Sequence, residues 1–413
     1  MNVATFEQPS TISLTPSRSL HAVKAPQRSI SSSSKDYILH LSALGTTYAA
    51  AFSSPSNSIS LLEKTSLQLV ASFKAHTDAI TCLRSSCSLA GSAGKSILLS
   101  SGKDGLVKAW DDRTQAINGP ILQFNEKRAI LGFDVSSDGV CLATGTELKG
   151  DEAHILFWDV RNADAPTHVN TSAHSDDITA VSFHPNTPDI VLTASTDGLL
   201  CTTDVRELDE DESGIQVGNW GCSVNSVGWT DVSEGLGSST KASKHIWAHS
   251  DMQTVSLWSD ELDLLNDFGD VRKPNIPGQW GSDYFIDATW LTGGSELVSS
   301  SSGLGLWMGS DSGDVALLGV QDMHTWNLEC VLAGSHSDVV RCVLWDSENS
   351  VVLTGGEDSR LCSWSVSSIS ASGNGQRSAE GVDDMDVDVI RLKETKRWRE
   401  ETLGRRCDTF LTS

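Results

Sequence analysis

The chain has 413 residues, 38% of them apolar and 20% charged, with a formal net charge of −24. That composition supports a sizeable core and excludes a disordered polyampholyte or a basic nucleic-acid-binding surface, since so acidic a surface repels phosphate backbones. No run reaches the roughly 18 apolar residues of a membrane span, and none of the nine cysteines forms a Cys-x-x-Cys pair, so neither a zinc site nor a disulfide framework is expected.

The first 35 residues carry Arg18, Lys24, Arg28 and Lys35 against Glu7, so the rest of the chain holds all of the negative excess. This segment is Ser-rich, lacks the apolar stretch of a secretory signal, and has Pro9, Pro16 and Pro26, which oppose an amphipathic presequence helix. It reads as a flexible tail over 1–36. Within it, Ser19–Ala25 (SLHAVKA) is the candidate for a strand that completes the last unit of a closed ring; the alternative is that 1–35 is a disordered tail and a later strand closes the ring.

From Tyr37 onward, short β-branched and apolar runs alternate with Gly, Asp, Asn and Ser, as many short antiparallel strands require. Three segments share more than this. Leu98–Asp111 (LLSSGKDGLVKAWD), Val191–Asp204 (VLTASTDGLLCTTD) and Val352–Ser365 (VLTGGEDSRLCSWS) each read as strand, tight turn, strand. Ser100 and Asp104 precede Trp110 by ten and six residues. Thr354 and Asp358 precede Trp364 by the same offsets, and Thr193 and Asp197 precede Thr203, where the aromatic is missing. Upstream of each stands a histidine, His76, His174 or His336, followed by an apolar strand. Buried imidazole and indole N–H groups need acceptors, and a hydroxyl and a carboxylate at fixed offsets supply them.

Weaker copies fill the gaps: Tyr37–Phe73, without the Trp; Ala129–Arg161, with Trp158 and a stretched acidic turn; Val224–Ser259; and Tyr284–Val320. Residues 37–366 thus divide into seven units of about 47 residues. Acidic Glu207–Glu212, Gly/Ser/Lys-rich Ser233–Lys244 and Ser/Gly-rich Thr292–Gly303 read as surface connections. Residues 367–413 read as a polar linker and a charged tail, flexible or helical over 385–403.

These co-spaced residues resemble WD repeats. The resemblance implies an all-β fold, a seven-bladed β-propeller with flexible N- and C-terminal tails, in which His, Ser/Thr, Asp and Trp form a hydrogen-bonded tetrad inside a blade. The segment ATGTELKGDEAHILFWDVR, the HSDDIT…VSFHP segment, the late GGEDSRL…W and Asp270-Val271-Arg272 resemble the WD repeat-containing protein 89 family more than the generic repeat. The resemblance implies a non-catalytic scaffold or adaptor that binds other proteins inside the cell, in nucleus or cytoplasm, with no cofactor. His76, Asp104 and Ser100 spell a catalytic triad on paper, but as tetrad members they are interior. His245 and His249 have metal-pair spacing only if helical, and KHIWAHSDMQTVSLW reads as strand. The acidic loops lack the ordered oxygen spacing of a calcium loop.

One motif points further. Trp110-Asp111-x-Arg113 and Trp158-Asp159-x-Arg161, with Asp204-x-Arg206 lacking the Trp, resemble the box of cullin-4 ubiquitin-ligase substrate receptors, which implies an arginine that meets a ligase adaptor. The competing reading is an arginine that pairs with its own neighbouring aspartate at a strand end.

Overall fold

A computed structural model describes residues 12–32, 35–92, 94–112, 119–230, 245–291 and 303–366. Six four-stranded sheets and one five-stranded sheet follow one another along the chain, with a small two-stranded hairpin between the fifth and sixth. Blade 1 spans Ile38 to Lys74, blade 2 Ile80 to Asn125, blade 3 Ile130 to Asn170, and blade 4 Ile178 to Asn219. Blade 5 spans Val224 to Asp270, blade 6 Tyr284 to Leu332, and blade 7 Val340 to Ser365. The first strand of each blade lies against the first strands of both neighbours, so these seven strands form a closed ring around a central bore.

The strand patterns follow from this placement. Second strands such as Thr47–Phe52 (TYAAAF), Ile97–Gly102 (ILLSSG) and Val351–Gly356 (VVLTGG) are apolar or small on both faces, because adjoining blades cover both. The fourth strand of blade 1, Leu69–Lys74, has only exposed and half-buried positions, whereas that of blade 6, Thr325–Leu332, is largely buried. Trp158, Trp307, Trp326 and Trp364 are fully buried between blades. Each removes on the order of 200 Å² from water, roughly 4–6 kcal/mol of apolar burial, which makes them principal anchors of the inter-blade core.

The turn between second and third strands needs a positive φ. Gly105, Gly198 and Gly313 supply it, and a Cβ at Gly105 would collide with the carbonyls of Glu126 and Arg128. Blade 7 places Ser359 there instead, at φ 61°.

Ring closure departs from the sequence expectation. The strand that completes blade 7 is Arg28–Ser31, antiparallel to Arg360–Ser365, with Arg28 opposite Ser363. Residues 19–25 do not do this. Ser13–Val23 lies instead on the outer edge of blade 6 as a fifth strand, parallel to Thr325–Leu332. The physical reason is visible in the side chains. Leu14 is buried in a cluster with Trp326 and Leu328, with Leu20 packed alongside, whereas the closing strand is largely exposed and held through its backbone. The 1–36 segment is therefore partly strand within its described residues. Residues 233–244, 292–302 and the expected helix at 385–403 lie outside the described residues.

Candidate functional site

Blade 2 contains a complete tetrad. His76 Nδ1 lies 2.9 Å from Asp104 Oδ1, His76 Nε2 2.8 Å from Ser100 Oγ, and Trp110 Nε1 donates to Ser100 Oγ at 2.9 Å. With the serine accepting from the indole, its own proton points at Nε2. The imidazole then carries its proton on Nδ1 and donates to the aspartate, a tautomer assigned from the network. The Asp104 carboxylate also accepts the Thr77 N–H at 2.9 Å. Burial pushes this carboxyl up, but the His76 and Thr77 hydrogen bonds together outweigh it and hold it at about 2.

Blade 7 repeats the arrangement. His336 Nδ1 is 3.0 Å from Asp358 Oδ1, His336 Nε2 2.8 Å from Thr354 Oγ1, and Trp364 Nε1 2.9 Å from Thr354 Oγ1. In blade 4 the His174–Asp197 and His174–Thr193 contacts are 3.3 and 2.9 Å. Thr203, in the tryptophan's place, pairs with Val191 through the backbone. Asp197 is likewise held at about 2, by His174 and the Ser175 and Leu199 N–H groups against the larger opposing effect of burial. His76, His174 and His336 are 1%, 5% and 5% exposed, so they face the blade interior and not a cleft.

The other blades depart from this pattern in ways that sequence offsets register. The tetrad histidine always lies four residues before the first strand. At that offset blade 3 has Glu126, blade 5 Trp220 and blade 6 Trp280. In blade 3 the buried Trp158 Nε1 and Thr144 Oγ1 consequently have no hydrogen-bond partner among the described residues. Trp280 fills its place with apolar bulk in the blade 6 core and donates to Ser282 Oγ at 2.9 Å. His245 and His249 lie on one strand, His245–Ser250, and the His249 ring stacks on Phe285 at 4.0 Å.

The Asp-x-Arg motifs form local ion pairs, and Arg206 also lies 3.4 Å from Asp189. Arg161 binds Asp159 bidentately at 2.9 and 2.7 Å, Arg206 binds Asp204 at 3.1 and 2.8 Å, and Arg272 binds Asp270 at 2.8 and 2.9 Å. The Arg161 hydrogen bonds hold the Asp159 carboxyl at about 2. Asp159 and Asp204 each end a third strand, so Arg161 and Arg206 open on one face of the ring. Asp270 ends a fourth strand, which runs the other way, so Arg272 opens on the opposite face. Asp111 is buried at the end of its strand, and Arg113 lies outside the described residues.

A bore lined by first strands adds a charged set that the repeat pattern does not show. Arg84 of blade 2 lies 3.5 Å from Asp134 of blade 3 and donates to the Val181 carbonyl of blade 4 at 3.4 Å. Asp287 enters the bore from blade 6. Its side chain is exposed on that blade's first strand, and the protein crowding the bore pushes its carboxyl up, with the Ala288 N–H and Arg84 opposing the shift.

Seven radial blades, with complete tetrads in blades 2 and 7 and the histidine–aspartate–hydroxyl part of one in blade 4, make a seven-bladed β-propeller that carries WD repeats. The family model described as WD domain, G-beta repeat matches residues 67–111, 166–202 and 326–365. Each match begins on the fourth strand of one blade and runs through the third strand of the next, so sequence repeat and structural blade are offset by one strand. The chain is similar to the WD repeat-containing protein GTS1 of Arabidopsis thaliana, 28% identical over 344 residues, covering 80% of this chain and 81% of the relative. It is 24% identical to the WD repeat-containing protein 89 homolog of Dictyostelium discoideum, over 65% of this chain and 67% of the relative. An uncharacterized WD repeat-containing protein of Saccharomyces cerevisiae is 32% identical over 46% of each chain. WD-repeat propellers generally act as protein-interaction scaffolds and are typically non-catalytic.

Proposed function

We propose that this propeller is a non-catalytic platform that binds other proteins and acts as a monomer within an intracellular assembly. The observation that carries the reading is the burial of all three His–Asp–hydroxyl sets inside blades, where a substrate cannot reach them. The exposed surface instead offers a rigid ring with strongly acidic connections, suited to broad contacts with basic partners. The eight described cysteines are free, which favours a reducing compartment in nucleus or cytoplasm. Affinity capture of the full chain with chemical cross-linking tests this. Specific, stoichiometric protein partners are expected; recovery of none from nuclear or cytosolic extract would count against the platform.

A second reading, substrate receptor of a cullin-4 type ubiquitin ligase, draws on Arg161 and Arg206. Their side chains are 66% and 68% exposed on one face of neighbouring blades. Each is engaged by its own aspartate, so adaptor binding would require an exchange of partners. Purified ligase adaptor should then bind the wild type and lose affinity for the Arg161→Ala/Arg206→Ala variant. An adaptor that ignores the wild type rejects this reading and leaves the first untouched.

A further inference from the structure

The outer strand of blade 4, Gly214–Asn219, carries Ile215 and Val217 two positions apart, 45% and 62% exposed. Leu208, in the loop that leads into it, is 65% exposed. One side of the strand is used inside the propeller, where Gly218 sits against Trp258 and Leu262 of blade 5. Among the described residues no strand pairs with its outer edge. Single exposed apolar residues are ordinary, but an open edge that presents several is a template for pairing, which proteins usually cover or blunt.

Two observations say what would cover it. First, the strand is preceded by Glu207, Asp209, Glu210, Asp211 and Glu212. Glu210 accepts the N–H groups of Thr171 and Ser172 at 3.0 and 3.1 Å, which pins this acidic loop against the exit of blade 3, beside the open strand. Second, the propeller already accepts an added strand at the rim of a blade. Ser13–Val23 lies parallel on the outer strand of blade 6 and buries Leu14 there.

We propose that the Gly214–Asn219 edge is a docking site for an extended segment of a partner protein in which apolar and basic residues alternate. The segment adds a fifth strand to blade 4 through backbone hydrogen bonds. Its apolar residues cover Ile215 and Val217, and its basic residues meet the acids at the start of the strand. A second copy of this chain is disfavoured, because Gly214–Asn219 (GIQVGN) carries no basic residue to meet these acids. The inference rests on the binding-platform reading and adds the surface and the chemistry of the partner.

The test uses a fluorescein-labelled, end-capped nonapeptide of alternating valine and lysine, titrated into the full chain and read by anisotropy, with hydrogen exchange of the 214–219 amides. Saturable binding, new protection at those amides, and little binding of the valine–glutamate peptide are expected. Affinity should fall about tenfold in Ile215→Lys/Val217→Lys and in Glu207→Gln/Asp209→Asn/Glu212→Gln. Should the lysine variant fail to fold, Ile215→Thr/Val217→Thr with unchanged thermal unfolding should still lose about threefold. Undiminished affinity in the folded variants, or protection confined to other blades, overturns the proposal. So does binding that appears only after residues 385–413 are removed, which assigns the edge to this chain's own basic segment, or a dimer that Ile215→Lys/Val217→Lys abolishes. Protein partners captured equally by wild type and the threonine variant would sink this site while leaving the platform reading in place.

Discussion

The Tyr48 hydroxyl donates a 2.9 Å hydrogen bond to the carboxylate of Asp346. Tyr48 belongs to the second strand of blade 1 and Asp346 to the end of the first strand of blade 7, so the bond spans the seam where the ring closes. Lys64 reaches the same carboxylate oxygen at 3.0 Å, and Asn349 donates to it at 2.8 Å. The neighbouring Thr47 donates to Asp112 at 3.2 Å on the blade 2 side, so one strand start is tied to both adjacent blades. Tyr48→Phe keeps the ring in place and deletes one bond to a charged acceptor. A loss of about 1.5–3 kcal/mol in urea unfolding is expected. A smaller loss when Lys64 is already Met would show that the two donors act through Asp346 together.

Blades 7 and 3 make opposite predictions for the same substitution. Thr354 is bonded to both His336 and Trp364, so Thr354→Val should cost about 1–3 kcal/mol, and Asp358→Ala a similar amount, by stranding buried donors. Thr144 of blade 3 is buried with no partner, so Thr144→Val should be neutral or stabilising. Equal losses at 144 and 354 in thermal unfolding would contradict the assigned bonding.

Acid should weaken the propeller through two of its tetrads. Asp104 and Asp197 titrate at about 2, below the ordinary carboxylate value. A carboxyl depressed on folding adds stability above its unfolded pKa, and that contribution disappears as pH falls through the folded value. The midpoint of thermal unfolding should therefore drop between about pH 4 and pH 2. Asp104→Asn/Asp197→Asn should start lower at pH 7 and show a shallower decline over that window.

Asp287 has the reverse sign. Protein crowding the bore pushes its carboxyl up, but the side chain keeps contact with water, so ionisation above the ordinary carboxylate range opposes folding only slightly. Asp287→Asn should raise the unfolding midpoint slightly at pH 7–8 and lose its advantage near pH 4. An advantage that persists at pH 4 would point to packing and not to charge.

The blades that carry a histidine, a hydroxyl and an aspartate at fixed offsets were legible because these residues bond within one repeat, a few strands apart. Blades 5 and 6 were legible only as strand patterns, since Trp220 and Trp280 replace the histidine with bulk. The closing strand was misplaced for a physical reason. Ser19–Ala25 has the apolar alternation of a packed strand and does pack, but on blade 6. Arg28–Ser31 holds its place mainly by backbone bonds, which leave no side-chain signature. The Tyr48–Asp346 bond and the Arg84 contacts to Asp134 and Val181 join residues far apart in the chain, and a local pattern cannot register such contacts. For Arg161 the sequence left two readings, an adaptor contact or a pairing with its own neighbouring aspartate at a strand end, and the coordinates show the pairing with Asp159.

Because Arg28 is paired with Ser363, the toroid cannot be sealed until the ribosome has released nearly the whole described chain. Blade 1 must wait with its junction to blade 7 unmade, and the contacts that finish the circle are the most distant in order of synthesis, which slows the final step. Amputating the leader at residue 27 would remove the extra rim strand but spare the latch. Amputating at residue 32 would remove both, leaving an open horseshoe with bare ends and an invitation to misassembly.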